Sequence, residues 1–180
     1  RSNYGQGKRV LVEFVSANPT GPMHIGNARG GVLGDALASV LDAAGYQVER
    51  EFYINDAGNQ VNKFGASLEA RYLQIYQGEE NVPFPEDGYK GADIIEHAEN
   101  FAKEHGDKYV NASQEERRAA LVGYALPKNI QGLHDDLMRY RVEYDNWFKE
   151  SSLHENGSVE KVVELLKEKG GEDIVVFGGG

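Results

Sequence analysis

Ser16-Ala-Asn-Pro-Thr-Gly-Pro-Met-His-Ile-Gly-Asn-Ala-Arg-Gly-Gly31 follows an apolar run, Val10-Leu-Val-Glu-Phe-Val15, and opens a helical pattern that ends near Gly45. Strand, polar turn and helix in that order offer backbone N–H groups to a phosphate. The spacing is neither Gly-x-Gly-x-x-Gly nor the Gly-Lys-Ser/Thr of a P-loop, so a nucleotide argument needs other features. Gly26, Gly30, Gly31 and Gly34 all fall inside the helical pattern. Each costs about 1 kcal/mol relative to alanine, which predicts that something approaches this helix closely. Pro22 suits a helix start, and His24 is expected in the first turn. There an imidazole can donate to an anion with the support of the helix dipole. A single histidine is ordinarily structural; the glycine-broken turn around this one favours a function.

Outward from that stretch, Val10–Val15 reads as a strand buried on both faces, as parallel strands are. Glu13 interrupts it and, if buried, needs a partner or a cationic ligand; the alternative is an edge carboxylate facing water. Asn18 precedes Pro19 and marks the strand's end. From Ile25 the set Ala28, Val32, Ala36 and Val40, with Leu33, Leu37, Leu41 and Ala44 beside it, predicts a two-sided core helix stopped by Gly45. Tyr46–Ile54 alternates and predicts a second strand, parallel to the first through a right-handed crossover. Asn55-Asp-Ala-Gly-Asn-Gln60 then lies beyond its C-terminal end, where open α/β sheets bind ligands. The plain alternative is a turn with Asp56 capping the next helix.

Residues 60–77 predict a helix with Val61, Phe64, Leu68, Tyr72 and Ile75 on one side. A loop over Gly78–Lys90 and a helix near Ala92–Glu104 follow. Ser113 with Glu116 forms a capping-box pattern opening another helix, which Pro127 should break or kink before it ends about Tyr140 with Ile130, Leu133 and Leu137 inward. Residues of about 65–140 carry no motif of their own and read as a helical insertion between two halves of a sheet. His97, His105 and His134 read as surface residues, with no spacing that makes a metal site. Arg141–Trp147 reads as a third strand with Glu150-Ser-Ser152 beyond its end. Ser158 reads as the cap of a helix carrying Val159, Val162, Val163 and Leu166, and Asp173–Phe177 as a further strand. Residues 1–8 read as a loose connection, and no internal repeat is present.

Composition narrows the classes. The 180 residues are 40% hydrophobic, enough for one domain with a core. There is no cysteine, hence no disulfide and no thiolate zinc site. No run of 18 apolar residues suggests a membrane span, no signal-peptide pattern is present, and the cytoplasm is the default compartment. The net charge of −10 excludes a broad basic face for nucleic acid.

His24-Ile-Gly-Asn27 resembles the His-Ile-Gly-His signature of class I aminoacyl-tRNA synthetases. The longer run Glu13–Arg29 resembles the arginyl-tRNA synthetases, and two further blocks agree, Tyr53–Gln60 and Tyr144–Ser152. Asn27 stands where the signature usually has its second histidine; it can hydrogen-bond a ligand but carries no proton at neutral pH. The resemblance implies an α/β fold, the first half of a class I synthetase Rossmann-like parallel sheet with a mainly helical insertion. Residues 1–180 are then part of a catalytic, nucleotide-binding domain, with no anticodon-binding domain in the sequence. It implies an arginine–tRNA ligase using L-arginine, ATP with Mg2+, and tRNA, with no structural metal. His24 and Asn27 are the implied catalytic residues, with Pro22, His24, Gly26 and Asn27 toward ATP. Ser16, Ala17, Asn18 and Asn27 hold the amino-acid end of arginine, Glu150 its guanidinium, and Glu13 supports. A nucleotidyltransferase of the same fold, or an arginine- or ATP-binding module without catalysis, are the other readings.

Overall fold

A computed structural model describes residues 2–170. The predicted strand Asp173–Phe177 lies outside them. Among the described residues, β1 (Arg9–Glu13), β2 (Gln47–Ile54) and β3 (Asn146–Lys149) form one parallel three-stranded sheet in the order β1-β2-β3. Glu13 sits opposite Glu51, and Tyr53 opposite Phe148. The crossover from β1 to β2 is α1 (Ile25–Ala43). Between β2 and β3 run α2 (Gly58–Gln77), α3 (Ala92–His105) and α4 (Gln114–Arg139), and α5 (Ser151–Glu155) and α6 (Ser158–Gly170) follow.

Two cores result. Val12, Phe14, Phe52 and Ile54 from the sheet side meet Ala38 of α1, Leu133 and Leu137 of α4, and Val142. Phe64, Leu68, Tyr72, Ile94, Phe101, Leu121 and Ala125 form the second, wholly helical cluster. Helix α4 contributes to both. Pro127 does not break it. The carbonyl that loses its partner belongs to Gly123, which is exposed, as Pro127 is, so water can satisfy it.

The sheet is covered on one face, which corrects the two-sided readings. β1 is an edge strand: Leu11 and Glu13 are exposed while Val12 and Phe14 are buried. Helix α1 buries only Gly31, Gly34 and Ala38; Val32, Leu33, Leu37 and Val40 remain on the surface. The apolar pattern was right for a helix, but only one of its faces meets this sheet.

Other boundaries shift for local reasons. Arg141, at φ 61°, turns the chain after α4, and Val142 drops into the core with its N–H on Leu137 O. The third strand therefore begins at Asn146 and not at Arg141. The N-terminal residues are tied down: Ser2 and Gly5 donate to Ala43 O and Ala44 O, satisfying carbonyls at the end of α1. Ser158 lies inside α6, and Asn156 accepts from its N–H and its hydroxyl.

Candidate active site

The chain leaves β1 through a strained turn. Val15 has φ 67° and Ser16 φ 45°, and Ser16 N donates to Phe14 O at 3.0 Å. That is a γ-turn of the rare positive-φ form, centred on a β-branched residue. Such strain persists only where neighbours over-determine it. Here the Tyr144 phenol donates to Phe14 O (3.0 Å) and stacks on the Phe14 ring at 4.6 Å, while Tyr53 N donates to Ser16 Oγ (3.1 Å). Burial pushes the Tyr144 phenol well above its ordinary pKa. Further along, Asn129 Nδ2 donates to the carbonyl of buried Pro19 (3.0 Å), and His97 Nε2 meets Asn129 Oδ1 at 2.7 Å. His97 is thus half-buried and engaged, where the sequence reads a surface residue.

His24 is the N-cap of α1, one position before the first turn in which it is expected. Its Nδ1 accepts from Gly26 N (3.1 Å), and Asn27 Oδ1 accepts from His24 N (3.1 Å), a reciprocal capping box. With Nδ1 accepting in the cap, Nε2 is the ring nitrogen left to meet a ligand. Gly26 is required for this geometry: a Cβ there would lie 2.9 Å from His24 Cε1. Asn27, using Oδ1 in the cap, keeps its amide hydrogens for a ligand.

Val15, Ser16, Ala17, Asn18, Pro22, His24 and Asn27 line one cavity of about 510 Å³. Gly26 faces a second hollow, of about 540 Å³, with Ile25, Arg29, Val32, Leu33 and Tyr140. The main cavity has a wall that sequence reasoning missed: Tyr89, Lys90, Gly91 and Asp93, from the region read as carrying no motif. Tyr89 N donates to Ser67 Oγ (2.9 Å), and the fully buried Ser67 donates to Lys63 O (2.7 Å). The Tyr89 phenol donates to Gln60 Oε1, joining the wall to the Asn55–Gln60 block. The available signal was Asp87-Gly88-Tyr89-Lys90-Gly91, an aromatic and a cation set between turn glycines.

Glu13 and Glu150 do not line that cavity. Glu13 ends β1 and Glu150 follows β3, and both act electrostatically on Tyr53. Burial first, then the charge and hydrogen bond of Glu150, raise the Tyr53 phenol above its ordinary pKa, with Asp56 and Glu13 adding to it. Tyr53 thus links Ser16, through its N–H, to Glu150, through its side chain. Asp56 caps nothing on α2, whose N-cap is Ala57; its carboxylate accepts from Ser151 N and Ser151 Oγ, both at 2.8 Å. Among the described residues no group of three or more His, Cys, Asp or Glu could hold a metal, and no helix is long and apolar enough to cross a membrane.

The sequence is 59% identical over 170 residues to an arginine–tRNA ligase of Ruminiclostridium cellulolyticum, covering 94% of this chain and 30% of that one. It is 62% identical over 170 residues to the arginine–tRNA ligase of Caldanaerobacter subterraneus subsp. tengcongensis, with the same coverage of 94% and 30%. A Campylobacter jejuni crystal structure assigned as an arginyl-tRNA synthetase superposes with a TM-score of 0.79 at 34% identity, over 95% of this chain and 36% of that one. The chain therefore spans about 30% of the length of the curated relatives it matches. The family described as tRNA synthetases class I (R), catalytic domain, matches residues 1–173, and with the parallel sheet and the capped His24 turn this shows that the chain belongs to it.

Proposed function

We propose that this segment is the first part of the catalytic domain of an arginine–tRNA ligase, with residues of about 65–140 as its helical insertion. The reaction is activation of arginine by ATP, then transfer to tRNA. The carboxylate of arginine attacks the α-phosphate in line; arginyl-adenylate forms and pyrophosphate leaves. A carboxylate nucleophile has no proton to lose, so the protein contributes position and charge stabilisation. His24 Nε2–H and the N-terminus of α1 face the phosphates, with Asn27, Gly26 and Pro22 completing the nucleotide contacts. Ser16, Ala17, Asn18 and the Asn27 amide receive the α-amino and carboxylate groups of arginine. Glu150 pairs with the guanidinium, for which a carboxylate is the bidentate partner, and Glu13 adds negative charge nearby. Mg2+ enters with ATP as part of that substrate.

The observation that carries this reading is one cavity joining Ser16–Asn18 to His24 at a helix N-terminus, where His24 Nδ1 accepts from Gly26 N and Nε2 is left for a ligand. The test is arginine-dependent pyrophosphate exchange by an enzyme of the relatives' full length that carries this segment. Glu150→Gln should cost about 2–4 kcal/mol in kcat/KM for arginine, as for a buried charge left unpaired. Lysine, with one ammonium, should compete poorly with the parent enzyme. Unchanged arginine kinetics in the variant would remove Glu150 from the site.

A further inference from the structure

The turn from Ser16 to His24 is tied to the sheet at one end and to α1 at the other, and its middle hangs on the helical insertion. Ser16 Oγ accepts from Tyr53 N, and His24 closes the capping box with Asn27. Among the described residues, the hydrogen bond that holds residues 17–23 runs from Asn129 Nδ2 of α4 to Pro19 O, at 3.0 Å and across 110 residues of sequence. Pro19 is fully buried, and a buried carbonyl needs such a partner. Asn129 is oriented in turn from α3. With Nδ2 donating to Pro19, Oδ1 meets His97 Nε2 at 2.7 Å; an amide oxygen only accepts, so His97 donates. Asp93, one turn before His97 on α3, lines the main cavity. Helix α3 thus supplies a wall of the cavity and, through Asn129, holds the turn that borders it.

We propose that Asn129 and His97 are positioning residues for the amino-acid end of the substrate; this rests on the reading of Ser16–Asn18 given above. Neither residue lines the cavity, so neither touches substrate. Asn18 and Thr20 flank the held residue and both line the cavity, so a turn released at Pro19 misplaces them. Val15 and Ser16 already sit at positive φ, a conformation that lasts only while neighbours impose it. The reacting carboxylate must meet the α-phosphate in a near-attack geometry, which small displacements spoil. The insertion is thereby part of the amino-acid site, although it gives no group to the reaction. The α-amino and carboxylate groups are common to all amino acids. The relay therefore sets affinity and rate, not the choice of side chain.

The experiment compares Asn129→Ala, Asn129→Asp, His97→Ala, His97→Gln, Leu121→Ala and Asn18→Ala in an enzyme of the relatives' full length that carries this segment. Pyrophosphate exchange is followed with arginine and ATP varied in turn and lysine as competitor, beside Tm. Asn129→Ala should lower kcat/KM for arginine about fivefold, the weight of one hydrogen bond. Asn129→Asp cannot donate to Pro19 O and should lose at least as much. His97→Gln keeps an N–H donor and should retain more than His97→Ala. The ATP KM should stay within about twofold, because the capping box holds His24 independently. Inhibition by lysine should weaken by the same factor as arginine use, since the misplaced contacts are the shared ones. Leu121→Ala, in the helical core, should lower Tm the most and leave arginine kinetics unchanged well below Tm. Arginine kcat/KM that tracks Tm across the set, Leu121→Ala included, would make the relay merely structural and overturn the proposal. Loss in Asn18→Ala with parent kinetics in Asn129→Ala would overturn it too, while leaving Asn18 in the site. Parent kinetics in both would overturn the site reading and this inference together.

Discussion

The ring of Phe14 occupies the space that any side chain on Gly34 would fill: a Cβ added to Gly34 would lie 2.1 Å from Phe14 Cγ. Helix α1 and the end of β1 can approach this closely only because residue 34 has no side chain. Gly34→Ala should therefore destabilise by about 1–3 kcal/mol through overpacking. Gly30 has nothing within 4 Å of its Cβ position, so Gly30→Ala should stabilise by about 0.5–1 kcal/mol. Urea unfolding of the two variants checks both signs; similar effects would mean that the packing argument is wrong.

His24 combines two roles that substitutions can separate. Asn and Ser are both good N-caps, and Ala is not. His24→Ala should lose about 1 kcal/mol of stability with its cap, and lose activity as well. His24→Ser should keep the stability but not the reach of Nε2–H, so pyrophosphate exchange should fall as far as in His24→Ala. His24→Asn keeps cap and donor and should retain the most activity. Activity that simply tracks stability across the series would reduce His24 to a capping residue.

Tyr144 should make stability sensitive to alkaline pH. Its folded pKa is raised above the ordinary 10.0 by burial, so the native protein keeps the phenol protonated where the unfolded chain does not. That contribution is fully present below pH 10.0 and is lost as pH rises above it toward the folded value. Tyr144→Phe should cost about 0.5–1.5 kcal/mol at neutral pH, for the bond to Phe14 O. Above pH 10.0 its stability should fall less steeply than the parent's. Parallel decline of the two proteins would show that Tyr144 does not titrate in this way.

The outer face of α1 should make the isolated 180-residue chain sticky. Ile25 is 88% exposed, Leu33 65%, Leu37 53% and Val40 65%. Contiguous apolar surface of this kind is uncommon on a free monomer. Dye binding of the ANS type and concentration-dependent sedimentation are expected, and Leu33→Lys with Leu37→Lys should suppress both. A dye-silent monomer would count against it.

The strand–turn–helix order around Ser16–Gly31 and the parallel second strand were legible because apolar periodicity and turn chemistry are local signals. The start of α4 at Ser113 was legible for the same reason, and Glu116 N does donate to Ser113 Oγ, the Ser113 half of the expected capping box. What periodicity cannot carry is which side of an element is covered. Leu33 and Leu37 read as core because they are leucines at helical spacing, yet the covered face is that of Gly31, Gly34 and Ala38. The glycines of α1 predicted that something approaches the helix closely, and at Gly34 that group is Phe14. Tyr89 and Lys90 escaped notice because a wall held by Ser67 and Gln60 depends on pairings across tens of residues. The alternative of Asp56 as a helix cap fails for the same reason: its partner, Ser151, is 95 residues away.

That separation has a bearing on how the protein acquires its site. β1 can find β2 through one helix, but β3 must wait until the intervening chain has been gathered in. Closing a long flexible loop costs entropy that rises with the logarithm of its length, and ordering α2, α3 and α4 first shortens what remains to be closed. Contacts of high sequence separation form slowly. We therefore expect refolding to be sequential: helix content returns early, and the grip of Asp56 on Ser151 closes late. Arginine binding should reappear with that last phase in stopped-flow refolding, and its simultaneous return with helix content would contradict this order. A nascent chain would then hold a folded helical lobe well before it could recognise an amino acid.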